Sequence, residues 1–421
     1  MITAPLARAA SPALLALAAL GCAYGGVAVA EPLTFADTLA RAAQSAPSLR
    51  AAALQVEASR SAARAADELP DPKLSIGVTD FPISGPLAGQ PYRDDFSMVT
   101  LGFAQDVPSR DKRRARASQA RAVITAGEAQ RLVEMRKVRV AAALAWVDLY
   151  YAQRKLAALQ ILGAELKIGA ATAPARLASG AVRPAGTLQP ERDVAELEDR
   201  RETLRASLLK ARADLGRWIG PAAEVEPTGP LPNPKVDATV LKAELDALPQ
   251  LAVAEAAIRR TEADRGAAKA DKRSDWGYEV EYAHRDPRFG DYVSGKLNFS
   301  LPLFTSARQD PIVAARTSDV ARARADKEAA RRELEAALEG ELAEHAMHHA
   351  LLARSREVLV PLARRRADLE LASYQARTAS LSDVLAARRA RIDAELDALD
   401  REAEAIRDGV RLTLTYGEEP Q

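Results

Sequence analysis

Two histidines four residues apart are the chain's clearest invitation to chemistry. They lie in Glu344-His345-Ala346-Met347-His348-His349. On a helix, His345 and His349 share one face, a spacing that can chelate a transition metal. Yet both also continue the row Leu338, Leu342 and Leu352, whose steps are those of a packed helical seam. The seam is the stronger reading, and no Met-rich or Cys-rich tract stands beside it. Asp383 is the second candidate. Ser380-Leu381-Ser382-Asp383 has the form of a capping box, with Ser380 at the N-cap and Asp383 at the third helical position. No Gly-rich phosphate loop, nucleophile elbow or catalytic His/Cys cluster occurs. The chain reads as a non-enzyme that needs no cofactor.

The segments that would position these residues begin after an export signal. Arg8 is the only charge in residues 1–30, and an apolar run from Leu14 to Leu20 ends in Ala28-Val29-Ala30. That is the pattern of a cleaved secretory signal, giving a mature start at Glu31. Cys22, the only cysteine, offers a rival lipidation site, but Ala19 stands where a lipoprotein box expects leucine. Cleavage leaves no cysteine, so packing or assembly must supply stability. Formal net charge is +1 before Arg8 is removed. That balance excludes a general affinity for nucleic acid. The basic run Arg110, Lys112, Arg113, Arg114 and Arg116 is read as a solvated or interfacial helix start. No later segment is long and apolar enough for a membrane helix, so any span must be a closed barrel.

The chain repeats itself. Residues 46–66 (APSLRAAALQVEASRSAARAA) align with 248–268 (LPQLAVAEAAIRRTEADRGAA), Pro47 on Pro249 and Leu49 on Leu251. Leu101-Gly102-Phe103 aligns with Leu297-Asn298-Phe299, and Leu215–Gly220 with Leu412–Gly417. Two units are expected, 31–219 and 238–417, joined by a Pro-rich connector at 220–237. The first unit should hold a helix at 34–68, strands at 73–81 and 96–105, and helices at 110–172 and 186–218. The second should hold a helix at 238–270, strands at 276–284 and 292–302, and helices at 306–373 and 381–415. The long helices would each reach roughly 90 Å at ~1.5 Å per residue. Only a coiled-coil-like assembly houses such lengths. Val140, Leu144, Val147 and Tyr151 supply one seam.

The strands alternate. Trp276, Tyr278, Val280 and Tyr282 oppose Gly277, Glu279, Glu281 and Ala283. Leu297, Phe299 and Leu301 oppose Lys296, Asn298 and Ser300. Leu74, Ile76 and Val78 oppose Ser75, Gly77 and Thr79. Alternation alone suits a half-buried sheet in a soluble domain. Together with the export signal and the very long flanking helices, such apolar-out, polar-in strands are read as those of a transmembrane barrel facing outer-membrane lipid. Four strands cannot close one, since the smallest barrels have about eight. Two copies would give a filled interior, so three copies sharing twelve strands is the expected homotrimer. The expected fold class is mainly α with transmembrane β. The hairpin tips at 82–95 and 285–291 would face outward and the helices inward.

This arrangement resembles the TolC family of outer-membrane efflux factors over the whole mature chain. The most specific piece is Tyr374-Gln375-Ala376-Arg377-Thr378-Ala379-Ser380-Leu381-Ser382-Asp383-Val384-Leu385-Ala386-Ala387. It is similar to the family's Y-x-x-G-T-x-S-x-x-D-V-L-x-A signature, with Arg377 in place of Gly. Gln105-Asp106-Val107-Pro108 with Lys112-Arg113, and Gly180 with Arg183-Pro184, are similar to motifs of the heavy-metal, CzcC-like branch. The resemblance implies a passive exit duct for heavy-metal cations. It implies two partners, an inner-membrane proton-driven pump of the RND class and a periplasmic adaptor. It also implies that Asp383 belongs to an acidic ring at the closed periplasmic end, where Ala386 replaces a second aspartate. The adaptor is expected at two tips, Ser179-Gly180-Ala181 and Thr378-Ala379-Ser380. The alternatives are a drug-efflux or type I secretion channel, or, in another class, a periplasmic coiled-coil adaptor.

Overall fold

The computed structural model describes residues 31–90, 93, 96–178, 188–220 and 225–417. The expected signal, with Cys22, lies outside them. The first half runs β1 (Glu31–Leu33), α1 (Phe35–Ser45), α2 (Pro47–Arg64), β2 (Lys73–Thr79), β3 (Met98–Val107), α3 (Arg110–Ala171), α4 (Ala173–Ala178) and α5 (Leu188–Ile219). The second runs β4 (Val225–Pro227), α6 (Ala238–Ala243), a 3-10 turn at Leu245–Ala247, α7 (Pro249–Ala270), β5 (Trp276–His284), β6 (Tyr292–Phe299) and α8 (Gln309–Arg354). A π turn at Ser355–Leu359, α9 (Val360–Gln375) and α10 (Leu381–Tyr416) complete it. Leu301, expected in the last strand, falls just beyond β6.

Prolines divide what periodicity had joined. The helix expected at 34–68 breaks at Ala46, and the one at 238–270 breaks before Pro249. A residue that precedes proline is driven out of the helical region. Ala46 sits at φ −65°, ψ 117°, and Leu248 at φ −63°, ψ 138°. The break is thus made the same way in both halves. Each proline then opens the next helix, where its missing N–H is harmless. The helix expected at 306–373 is also interrupted. Pro361 has no N–H to offer the Glu357 carbonyl and crowds it. The π turn immediately before α9 takes up the mismatch.

α3 is an uninterrupted helix of 62 residues, about 90 Å long. It holds no proline, and its Ala and Arg content favours helix. Its middle is apolar on most sides because α1, α5 and α10 close around it. Trp146, Val147, Leu149 and Tyr151 are buried there with Leu215 of α5 and Ala403 of α10. Val140 and Leu144, expected in the seam, are half-buried. β1 pairs in parallel with β4, so the start of the described chain is tied to the connector between the halves. Two further clusters extend the core. One joins Leu159 and Leu162 to Leu385, Ile392 and Leu396. The other joins Leu241, Leu245 and Leu248 to Leu338, Leu412 and Tyr416.

Each half contributes one antiparallel hairpin, and the two lie side by side. The sheet order is β2-β3-β5-β6. The join between halves is the antiparallel pair β3–β5, from Val99 opposite His284 to Val107 opposite Trp276.

Candidate functional site

The register sorts the sheet into two chemically distinct faces. Ile76 lies opposite Leu101, Leu101 opposite Tyr282, and Tyr282 opposite Val293. Directly opposed residues share a face. Leu74, Phe103 and Val280 form the neighbouring row, and Tyr278 with Leu297 a third. All are exposed: Ile76 keeps 75% of its accessible surface and Leu297 64%. A contiguous apolar face of this kind is not stable against water. The opposite face carries Ser75, Thr100, Gly102, Glu279, Glu281, Ser294, Lys296 and Asn298. Small residues keep it open. A Cβ on Gly102 would lie 2.5 Å from the Ser75 hydroxyl, so a larger residue there would have to turn the Ser75 side chain aside. Among the described residues, both outer strands, β2 and β6, are paired on one side only.

The foot of the sheet is fixed to the helices by polar contacts. Asp275 accepts from the Ser109 N–H at 2.8 Å and meets the Lys112 ammonium at 2.6 Å. Burial works against the Asp275 carboxylate, but Lys112 and the Ser109 N–H outweigh it and hold its pKa below the usual range. Gln105 donates to the Pro70 carbonyl at 2.7 Å, and Lys73 pairs with Asp106 at 2.8 Å. The basic run is therefore not uniform, since Lys112 is a structural joint between α3 and β5. Of the motif residues, Lys112 serves this joint, while Gln105 and Asp106 tie β3 to β2 and the residues before it.

At the far end of the helices, α9 and α10 are joined by a tight turn. The Arg377 N–H donates to the Tyr374 carbonyl at 3.0 Å, and the Thr378 N–H to the Ser373 carbonyl at 2.9 Å. That pair of bonds is a Schellman cap. It needs a left-handed residue, and Arg377 supplies it at φ 62°. This is the position where the resembled signature has glycine, and the geometry gives the reason. Replacing Arg377 with glycine should remove the strain and raise stability by about 1 kcal/mol. The thermal unfolding midpoint, followed by circular dichroism, measures it. An unchanged or lower midpoint counts against the strain.

The capping box is fully formed. The Asp383 N–H donates to the Ser380 hydroxyl at 3.2 Å, and the Ser380 N–H donates to the Asp383 carboxylate at 2.9 Å. The Ser380 hydroxyl adds a third bond to that carboxylate at 2.6 Å. These bonds lower the Asp383 pKa, keeping it ionised. Thr378 and Ser380 are exposed on the turn, and Ala379 is half-buried. The other expected tip, Ser179-Gly180-Ala181 with Arg183 and Pro184, lies outside the described residues.

The histidine reading needs a correction. His345 is half-buried, but His349 is exposed, and the seam continues instead through His348. The His348 ring meets the Asp408 carboxylate of α10 at 2.5 Å, and Asp408 is only 5% exposed. The rings of His345 and His349 touch edge to face, with centroids 4.5 Å apart. Burial, then His349, push the His345 pKa down, which keeps that ring neutral near pH 7. Among the described residues no three His, Cys, Asp or Glu side chains are placed to share a metal. Nor is any described helix long and apolar enough to cross a membrane.

No family model and no curated protein matches the chain by sequence. Solved structures do. The CmeC outer-membrane channel of Campylobacter jejuni superposes with a TM-score of 0.75 at 12% identity, over 91% of this chain and 85% of that one. CusC, solved in a study of folding and transmembrane channel formation, gives 0.74 at 16%, over 91% and 92%. The outer-membrane protein VceC of Vibrio cholerae gives 0.72 at 19%, over 91% and 97%. The fold of this chain is that of these outer-membrane proteins.

Proposed function

We propose that the chain is the outer-membrane channel of a tripartite RND efflux system, a passive exit duct for heavy-metal cations. One observation carries the channel reading. A four-stranded sheet with a bare apolar face and two open edges stands on a helical bundle whose α3 alone is about 90 Å long. In lipid, unpaired backbone groups at those edges cost several kcal/mol each. Pairing β2 of one copy with β6 of the next removes them. Three copies close twelve strands around a water-filled lumen, with the apolar face toward lipid. The helices then extend into the periplasm toward an adaptor and an inner-membrane pump. The fold shared with CmeC and CusC supports the same orientation. The heavy-metal cargo is supported by the resemblance of Gln105-Asp106-Val107-Pro108, Lys112-Arg113, and Gly180 with Arg183-Pro184 to the CzcC-like branch.

The test has two parts. Protein extracted from outer membranes should have the native mass of a trimer and an N-terminus at Glu31. A monomer, or recovery in the soluble periplasmic fraction, rules out the channel. In a strain lacking the channel, its expression should restore tolerance to divalent heavy metals. Restored tolerance to drugs alone would reassign the cargo.

In the proposed trimer, Asp383 brings three carboxylates toward the axis at the periplasmic end. Like charges at a constriction attract cations. A trivalent cation added on that side of a planar bilayer should block current, and Asp383→Asn should weaken the block. Equal blocking affinity in both proteins would leave Asp383 as a helix cap only.

A further inference from the structure

We infer that Glu281 sets the charge selectivity of the duct's outer half, making it prefer cations; this rests on the barrel reading above. The deciding charges lie on the water-facing side of the sheet. Nearest the helices that side carries Lys73, Asp106, Glu279 and Lys296. Lys73 pairs with Asp106 at 2.8 Å, and Lys296 approaches Glu279 at 3.9 Å. Those four charges cancel. Glu281 lies one step further out and makes no ion pair among the described residues. Its direct neighbours across the strands are Gly102 on β3 and Ser294 on β6. Neither offers a counter-charge. Gly102 brings no side chain up to the carboxylate, and the Ser75 hydroxyl that fills the space beside Gly102 is uncharged too. Further out on the same face the strands end in Ala283, Tyr292, Met98 and Thr79, all uncharged.

Three copies would place three uncompensated carboxylates at one level. Twelve strands spaced ~4.8 Å and tilted ~40° close a ring roughly 24 Å across. The axis is then about one Debye length from each carboxylate at 0.1 M salt, ~10 Å, and well beyond it at 1 M, ~3 Å. The ring should therefore enrich small cations at low salt and lose its grip at high salt. This determinant lies at the opposite end of the molecule from Asp383.

Reversal potentials in planar bilayers under a KCl gradient test it. Trimers should prefer K⁺ over Cl⁻ near 0.1 M, with the preference fading toward 1 M. Glu281→Gln should lose most of the preference while the pore still conducts, and should do so equally in an Asp383→Asn background. Glu281→Lys should reverse the sign of the reversal potential. Ser294→Asp added to Glu281→Gln restores a carboxylate at the same level and should restore the preference, which a structural role for Glu281 would not. A conducting Glu281→Gln pore with wild-type selectivity overturns the inference alone. A wild-type trimer that carries no current overturns the barrel reading beneath it.

Discussion

Arginine in place of Val280 should cost the assembled protein about 2–4 kcal/mol, the depth-dependent penalty for a charge on the lipid face of a barrel. Val280 lies at mid-sheet, opposite Phe103 on one side and Gly295 on the other. Its row is apolar and exposed. Ser294 lies at nearly the same level on the opposite face, so Ser294→Arg should be mild. Urea unfolding in lipid vesicles compares the two. Equal losses would mean that the faces do not divide lipid from water. A labelling experiment fixes the same point without unfolding. Cysteine at Asn298 should react readily with a membrane-impermeant maleimide applied to the lumen, and cysteine at Phe299 should resist it. Equal reactivity would place the register wrongly.

Trp146→Ala should lose about 3–5 kcal/mol, the range for deleting a fully buried large aromatic. Trp146 has no exposed surface. It stacks on Tyr150 at 5.5 Å and meets the edge of Phe35 at 5.5 Å. Its indole N–H donates to the Leu33 carbonyl at 2.9 Å, and Leu33 belongs to β1. Truncation therefore opens a cavity, removes one of two hydrogen bonds to that carbonyl (the Thr228 N–H keeps the other at 3.0 Å), and loosens the β1–β4 pair. Trp146→Phe keeps most of the packing and loses that one hydrogen bond, so it should fall about 0.5–1.5 kcal/mol below wild type. Thermal unfolding gives the ranking, and hydrogen exchange at β1 and β4 reports the loosening. A loss under 1 kcal/mol for the alanine variant would show that the centre of α3 does not hold the halves together.

Much of the architecture is local and so was legible from residue order. Alternation in Trp276–Tyr282 needs only the two-residue period of a strand, and it predicted the apolar face that Leu101 and Ile76 complete. Proline-free, alanine-rich sequence predicted α3. The capping box at Ser380 and Asp383 depends on contacts three residues apart, and it formed as read. The repeat of Pro47 and Pro249 was visible too, but periodicity carried the helix through both, where the pre-proline restriction broke it. Pro361 is ambiguous in sequence, because a single proline inside a long helical pattern can kink, bulge or end it, and the surrounding packing chooses.

The histidines show where local reading stopped. His345 to His349 and His345 to His348 differ by one residue of helical phase. A heptad row drifts by about 20° per seven residues against a straight helix. Which ring faced α10 therefore depended on how α8 packed, and on the acid that waited there. Asp408 is sixty residues away in the chain. Nothing near it marked it as buried, since a buried carboxylate is tolerated only where a distant partner meets it. The pairing of β3 with β5, which joins the two halves into one sheet, is long-range in the same way. Sequence alone determined the period, length and capping of the elements, because those follow from forces between near neighbours. The tertiary structure decided which faces meet and which charges stay unpaired, because those follow from contacts that chain order does not encode.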